Sequence, residues 1–163
     1  MPSEFTTTRR VEFADTDTAG VVHFSAFFRY MEEAEHAFYR SFGGVAYTWH
    51  EEGAIGMPRV SAGCEYLAPL RYGDEVEIRI VVREKTPKAI RYEAEFRRIE
   101  GARNPAGGRD GAAELVARGS MKVVCAERPH GAPGWRAAAL PEPLRSRIEV
   151  APSGGDGERD PAL

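Results

Sequence analysis

Between Pro58 and Pro141 the chain offers one β-type segment after another with no helical periodicity between them, and this restricts the fold more than any other feature. Residues 60–67 read as a strand closed by Ala68-Pro69. Residues 74–83 alternate, with Val76, Ile78, Ile80 and Val82 on one face and Glu75, Glu77, Arg79 and Arg83 on the other. Residues 89–99 repeat the pattern through Ile90, Tyr92, Ala94 and Phe96. The polar, glycine-rich residues 104–111 are expected to form a hairpin tip. Residues 113–125 form a last long strand, in which Gly119 is expected as a bulge where the alternation slips. Ahead of this run, residues 5–13 alternate as a first strand and residues 25–42 carry the helical period. Strand, helix, then strands in succession is an α+β order with an antiparallel sheet. It excludes the alternating βαβ order of a doubly wound fold.

In residues 25–42, Phe27, Tyr30, Met31, Ala34, Phe38 and Phe42 recur at helical spacing, with Arg29, Glu32, Glu33 and Glu35 on other faces. Ser25 is the expected N-cap and Gly43-Gly44 the expected stop. So aromatic a helix needs a large surface wrapped around it, and a curved sheet is the natural candidate. A short helical turn is expected over residues 45–52, and a short closing helix over 141–148. One domain is expected over residues 1–150. Residues 151–163 hold Gly, Asp, Glu and Pro with little to bury, so a disordered tail is expected.

A hydrophobic content of 42% in 163 residues is enough for one core, and a net charge of −3 argues against nucleic acid as a partner. No apolar run is long enough to span a bilayer, and the first residues lack signal-peptide character. Cys64 and Cys125 make neither a disulfide framework nor a CxxC pair; they read as reduced thiols of a cytoplasmic protein.

Chemistry concentrates in Asp15-Thr16-Asp17-Thr18-Ala19-Gly20-Val21-Val22-His23-Phe24, which leads into the helix. A helix start presents N–H groups without intrahelical partners and favours negative charge. A carboxylate there can serve as nucleophile or base beside donors for a forming oxyanion. The plainer reading is that both aspartates shape a turn. A calcium loop is excluded, because Ala19 and Ala26 stand where oxygen ligands are required. His36 lies on a helical face with Glu32 and Glu33, but a di-iron bundle needs two Glu-x-x-His helices and the chain offers one, so no metal site is expected.

Residues 11–22, followed by Phe27 and the helical segment 29–34, carry a strand, Asp-x-Asp, two residues, Gly, small apolar residues and an aromatic. This resembles the 4-hydroxybenzoyl-CoA thioesterase family of hot-dog acyl-CoA thioesterases. Pro58 to Leu67, Ala68-Pro69 before Gly73-Asp74, and the final strand through Gly119 extend the likeness over roughly residues 7–125. The resemblance implies a hot-dog fold, a long central α-helix wrapped by a curved five-stranded antiparallel β-sheet, assembling as homodimers or homotetramers. It implies hydrolysis of a thioester between an acyl group and coenzyme A or acyl carrier protein. Carried over, Asp17 is the catalytic carboxylate and the backbone amide of Phe24 the oxyanion donor, with Val22 and His23 lining the approach. The YbgC-like branch carries a histidine at the position of Phe24; here His23 stands one residue earlier.

A thioester is electrophilic and its thiolate leaves readily, so one carboxylate and an oxyanion hole suffice. No Gly-x-Ser-x-Gly occurs in the chain, and no cofactor is expected, coenzyme A being part of the substrate. Gly20 lets the backbone approach the substrate, and Phe27 is a candidate wall of an acyl pocket. Arg59, Lys85, Lys88 and Arg91 are candidates for the coenzyme phosphates. Asp-x-Asp after a strand also resembles haloacid-dehalogenase-like phosphatases, which need a parallel sheet that this order contradicts. The rival that keeps the fold is a non-catalytic acyl-CoA-binding hot-dog protein.

Overall fold

The computed structural model describes residues 2–100 and 113–152, apart from the side chains of His50 and Glu100. The hairpin tip expected at 104–111, and residues 153–163 of the expected tail, lie outside them.

Five strands form the main antiparallel sheet: β1 (Glu4–Arg10), β4 (Arg59–Tyr66), β5 (Glu75–Lys85), β6 (Ala89–Glu100) and β7 (Glu114–Val124), in the order β1-β5-β6-β7-β4. The helix α1 (Ala26–Ser41) lies on the sheet and buries Phe27, Tyr30, Met31, Ala34, Glu35, Phe38 and Tyr39. This is the hot-dog arrangement, and its origin is in the register. Ile78, Phe96 and Ala117 stand side by side across β5, β6 and β7, then Ile80, Ala94 and Gly119, then Val82, Tyr92 and Met121. Every one of these is buried. Gly119 in the middle row makes room for the helix: a Cβ there would sit 2.4 Å from Met31 Sδ.

Gly119 is therefore a contact point and no bulge. The alternation slips nearer the start of β7, where Phe96 pairs with Ala117 but Arg97 with Leu115, so that Val116 and Ala117 are both buried. The helix ends as expected. Gly43 takes φ +82°, its N–H donates to Arg40 O at 3.1 Å, and Gly44 N–H donates to Tyr39 O at 2.7 Å, a Schellman closure. Ser25 precedes the helix, but its backbone is already helical and its side chain caps no N–H.

Two further expectations are corrected. The first strand stops at Arg10, and Phe13 falls in a 3-10 turn (Phe13–Asp15) with its ring 79% exposed. Residues 45–52 form no helical turn: β2 (Tyr47–His50) pairs with β3 (Gly53–Gly56), and with β8 (Ala126–Pro129) and β9 (Arg136–Ala137) they build a second sheet. The closing helix exists as α2 (Leu144–Arg147), with Leu140, Leu144 and Ile148 buried in the core. Cys64 and Cys125 are both free thiols. Among the described residues, no helix is long and apolar enough to cross a membrane.

Candidate active site

The loop before α1 is a miniature hairpin. Thr16 bridges to Val22, Asp17 N–H donates to Val21 O at 2.9 Å, and Gly20 N–H returns to Asp17 O at 3.0 Å. Gly20 takes φ +74° at the turn, which a side chain at that position would oppose. Val22 N–H reaches Leu70 O at 2.8 Å and so ties the loop to the segment after β4.

The two aspartates occupy opposite environments. Asp15 is buried and fully engaged: Oδ2 accepts from Arg9 and from Glu12 N–H, each at 3.0 Å, and Oδ1 accepts from Arg29 at 3.0 Å. Burial opposes its ionisation, yet the Glu12 N–H and the hydrogen bonds from Arg9 and Arg29 outweigh it and hold the carboxyl below its usual range. Asp15 fastens the loop to β1 and α1, as a turn-shaping residue does. Asp17 is exposed, and its Oδ1 accepts from Ala19 N–H at 2.8 Å. Among the described residues, its Oδ2 has no protein partner.

Asp17 lines a cavity of about 410 Å³ between the helix start and the end of β4. Val21, Val22, Phe24 and Phe27 form one side; Tyr66, Leu67, Ala68, Pro69 and Leu70 form the other. Asp17 is the one carboxylate among these residues. Phe27 meets Tyr66 and Phe96 edge-on at 5.2 Å each, so it is both cavity wall and core.

At the helix start His23 O accepts from Ala26 N–H at 2.9 Å, which makes Phe24 and Ser25 the central residues of a turn. Among the described residues, the Phe24 N–H donates to no acceptor. The Phe24 carbonyl accepts from the Tyr66 hydroxyl at 3.0 Å. His23 is exposed; its Nδ1 lies 2.7 Å from Ser25 Oγ and accepts from Ser25 N–H at 3.3 Å, and its ring stacks 4.5 Å from that of Phe24.

The candidate phosphate ligands stand elsewhere. In the register Tyr66 pairs with Ala117, while Arg59 pairs with Val123 at the other end of β4, seven residues or roughly 23 Å away. Lys85, Lys88 and Arg91 lie toward that same far end, since Lys85 pairs with Ile90, Ile90 with Val123 and Arg91 with Lys122. Three of the four also hold partners there. Arg59 binds Glu35 at 2.5 Å and Glu32 at 3.2 Å; Lys85 donates to the carbonyls of Arg145 and Ile148 at 2.9 and 2.6 Å; Arg91 faces Glu84 at 3.5 Å. On this chain they do not ring the cavity. Tyr66 went unnoticed in the sequence, because its partner Phe24 is 42 residues away and β4 alternates too weakly to show which side chains face the site.

The sequence profile of the Thioesterase-like superfamily matches residues 11–148. The chain belongs to this superfamily. Among individual relatives, the 1,4-dihydroxy-2-naphthoyl-CoA hydrolase of Synechocystis sp. (strain ATCC 27184 / PCC 6803 / Kazusa) is 27% identical over 144 residues, 88% of this chain and 94% of that protein. A relative in Aquifex aeolicus (strain VF5) is 41% identical over 76 residues, 47% of this chain, and the match spans only 59% of that protein's length. A mutant 4-hydroxybenzoyl-CoA thioesterase solved in complex with 4-hydroxybenzoyl-CoA superposes with a TM-score of 0.70 at 21% identity, over 89% of this chain and 98% of that one. At that identity the likeness shows the shared hot-dog fold of this thioesterase-like chain.

Proposed function

We propose that this chain is a thioester hydrolase that cleaves acyl-CoA to the free acid and coenzyme A, with Asp17 as the reacting carboxylate. One observation carries the reading: a carboxylate with a free oxygen lines the same cavity as a helix-start turn whose Phe24 N–H has no acceptor among the described residues. The substrate carbonyl lies between them. Asp17, ionised, either attacks the carbonyl carbon or takes a proton from a water that attacks it. In the first route the C–S bond breaks, coenzyme A leaves as thiolate, and water hydrolyses the resulting anhydride. In the second, the water oxygen adds to the carbonyl carbon and stays in the product acid, the C–S bond breaks, and the proton that Asp17 took goes to the departing coenzyme A sulfur. Both routes place negative charge on the former carbonyl oxygen, where the Phe24 N–H stabilises it; one such donor is worth about 2.7–4 kcal/mol in a known oxyanion hole. Neither needs a cofactor beyond the coenzyme A of the substrate itself.

The acyl group is aromatic in this reading. Apart from Asp17 and the Tyr66 hydroxyl the cavity side chains are apolar and ring-rich, and the Synechocystis relative is a hydrolase of 1,4-dihydroxy-2-naphthoyl-CoA, an aromatic acyl thioester. We assign the enzyme to the cytoplasm, in keeping with its two unpaired cysteines. It acts as a homodimer or a homotetramer.

Thiol release from a panel of aromatic and aliphatic acyl-CoAs tests the proposal. Turnover on aromatic members is expected, and Asp17→Asn should lower it by at least roughly 100-fold while acyl-CoA affinity stays within a few-fold. An inactive wild type that still binds acyl-CoA would make this a binding module instead.

A further inference from the structure

The turn that carries the Phe24 N–H consists of two peptide planes, and their anchors differ. The plane joining His23 to Phe24 holds the free N–H at one side; at the other, its carbonyl accepts from Ala26 N–H at 2.9 Å. Because the peptide is trans, that bond aims the Phe24 N–H away from the helix. The plane joining Phe24 to Ser25 has its N–H on His23 Nδ1 at 3.3 Å and its carbonyl on the Tyr66 hydroxyl at 3.0 Å. Every one of these anchors is local except the last. Tyr66 comes from the end of β4, on the opposite wall of the cavity.

We propose, resting on the thioesterase reading, that Tyr66 is a positioning residue for hydrolysis: its hydroxyl latches the helix-start turn to the sheet and so fixes the Phe24 N–H relative to Asp17. The Tyr66 ring is itself held, edge-on against Phe27 at 5.2 Å. Phe27 is 3% exposed and packed on Phe96 of β6, so the latch is braced against the core. Burial, with Cys64 adding to it, pushes the Tyr66 hydroxyl up to about 12, which leaves it protonated as the donor at neutral pH. A free turn would let the Phe24 N–H swing by the few tenths of an ångström on which oxyanion stabilisation depends, while the apolar walls that bind the acyl group stayed in place.

Tyr66→Phe deletes the hydroxyl and keeps the ring contact with Phe27, so folding is preserved. With the best aromatic acyl-CoA, kcat should fall about 10-fold with KM within two-fold, the split expected of a donor that acts in the transition state. Residue-resolved amide hydrogen exchange gives a second readout that needs no activity: the Ser25 and Ala26 amides should exchange about 10-fold faster in Tyr66→Phe than in wild type. Unchanged kcat, or a rise in KM alone, overturns the positioning role, and unchanged exchange overturns the latch. An inactive wild type overturns the thioesterase reading and the catalytic use of the latch with it, while exchange still decides whether the latch exists.

Discussion

Buried charge has to be matched, and Glu35 shows how this chain does it. Its carboxyl is fully buried under the sheet, where Oε1 accepts from Tyr39 at 2.6 Å, Tyr39 in turn accepts from Tyr92 at 2.7 Å, and Oε2 meets Arg59 at 2.5 Å. Burial nevertheless dominates and pushes Glu35 up to about 7, against the partial relief from Arg59 and Tyr39. A carboxyl raised in the folded state contributes stability below its ordinary 4.5, and that contribution is lost as pH rises through about 7. Glu35→Gln should therefore gain in melting temperature relative to wild type as pH goes from 4.5 to 7, then level off; scanning calorimetry across that range checks it. Asp15 has the opposite sign, since its lowered carboxyl stabilises the fold at neutral pH and loses that effect on acidification. At this scale the sequence pointed to the loop whose Asp17 lines the cavity, because Asp-x-Asp-x-x-Gly before a helical period is local in the chain. It could not separate residues whose partners come from afar. Arg59 read as a phosphate ligand because nothing near it in sequence announces Glu35, and Tyr66 stayed silent for the same reason.

Elements with strong periodicity were legible, and those shaped by tertiary contact were not. The alternation of β5 and β6 and the helical stripe of α1 place apolar side chains on the face that the structure buries. Residues 45–52 went the other way because β2 is the outer strand of a hairpin whose other strand, β3, pairs with β8, some seventy residues later. There Arg128 lies 5.4 Å from the rings of both Trp49 and Trp135, a contact no local pattern reveals. Gly119 is the clearest case, since a glycine in a strand suggests a bulge whereas here it serves the approach of Met31. Gly119→Val should lower unfolding free energy by about 1–3 kcal/mol in a denaturant titration. Repeating the substitution on Met31→Ala should shrink that cost, because the colliding side chain is then gone; equal costs in both backgrounds would exclude the contact as the cause.

At the scale of the whole molecule, the edges of the main sheet are β1 and β4 among the described residues. Along and just beyond β4, Val60, Tyr66 and Leu67 are 59%, 45% and 45% exposed, an apolar margin beside a strand edge free to pair. Light scattering at micromolar concentration should accordingly return at least twice the mass of one 18.0 kDa chain, and a monomer would count against self-association. The α+β order and the wrapped helix were legible at this scale from period alone. The distance between cavity and basic cluster was not, because strand register decides it. That distance acts as a ruler on any long, flexible ligand. A molecule held at one end beside Asp17 would have to run roughly 23 Å along β4 before its other end met Arg59, so its length, and no single side chain, decides whether both ends find a partner on this chain.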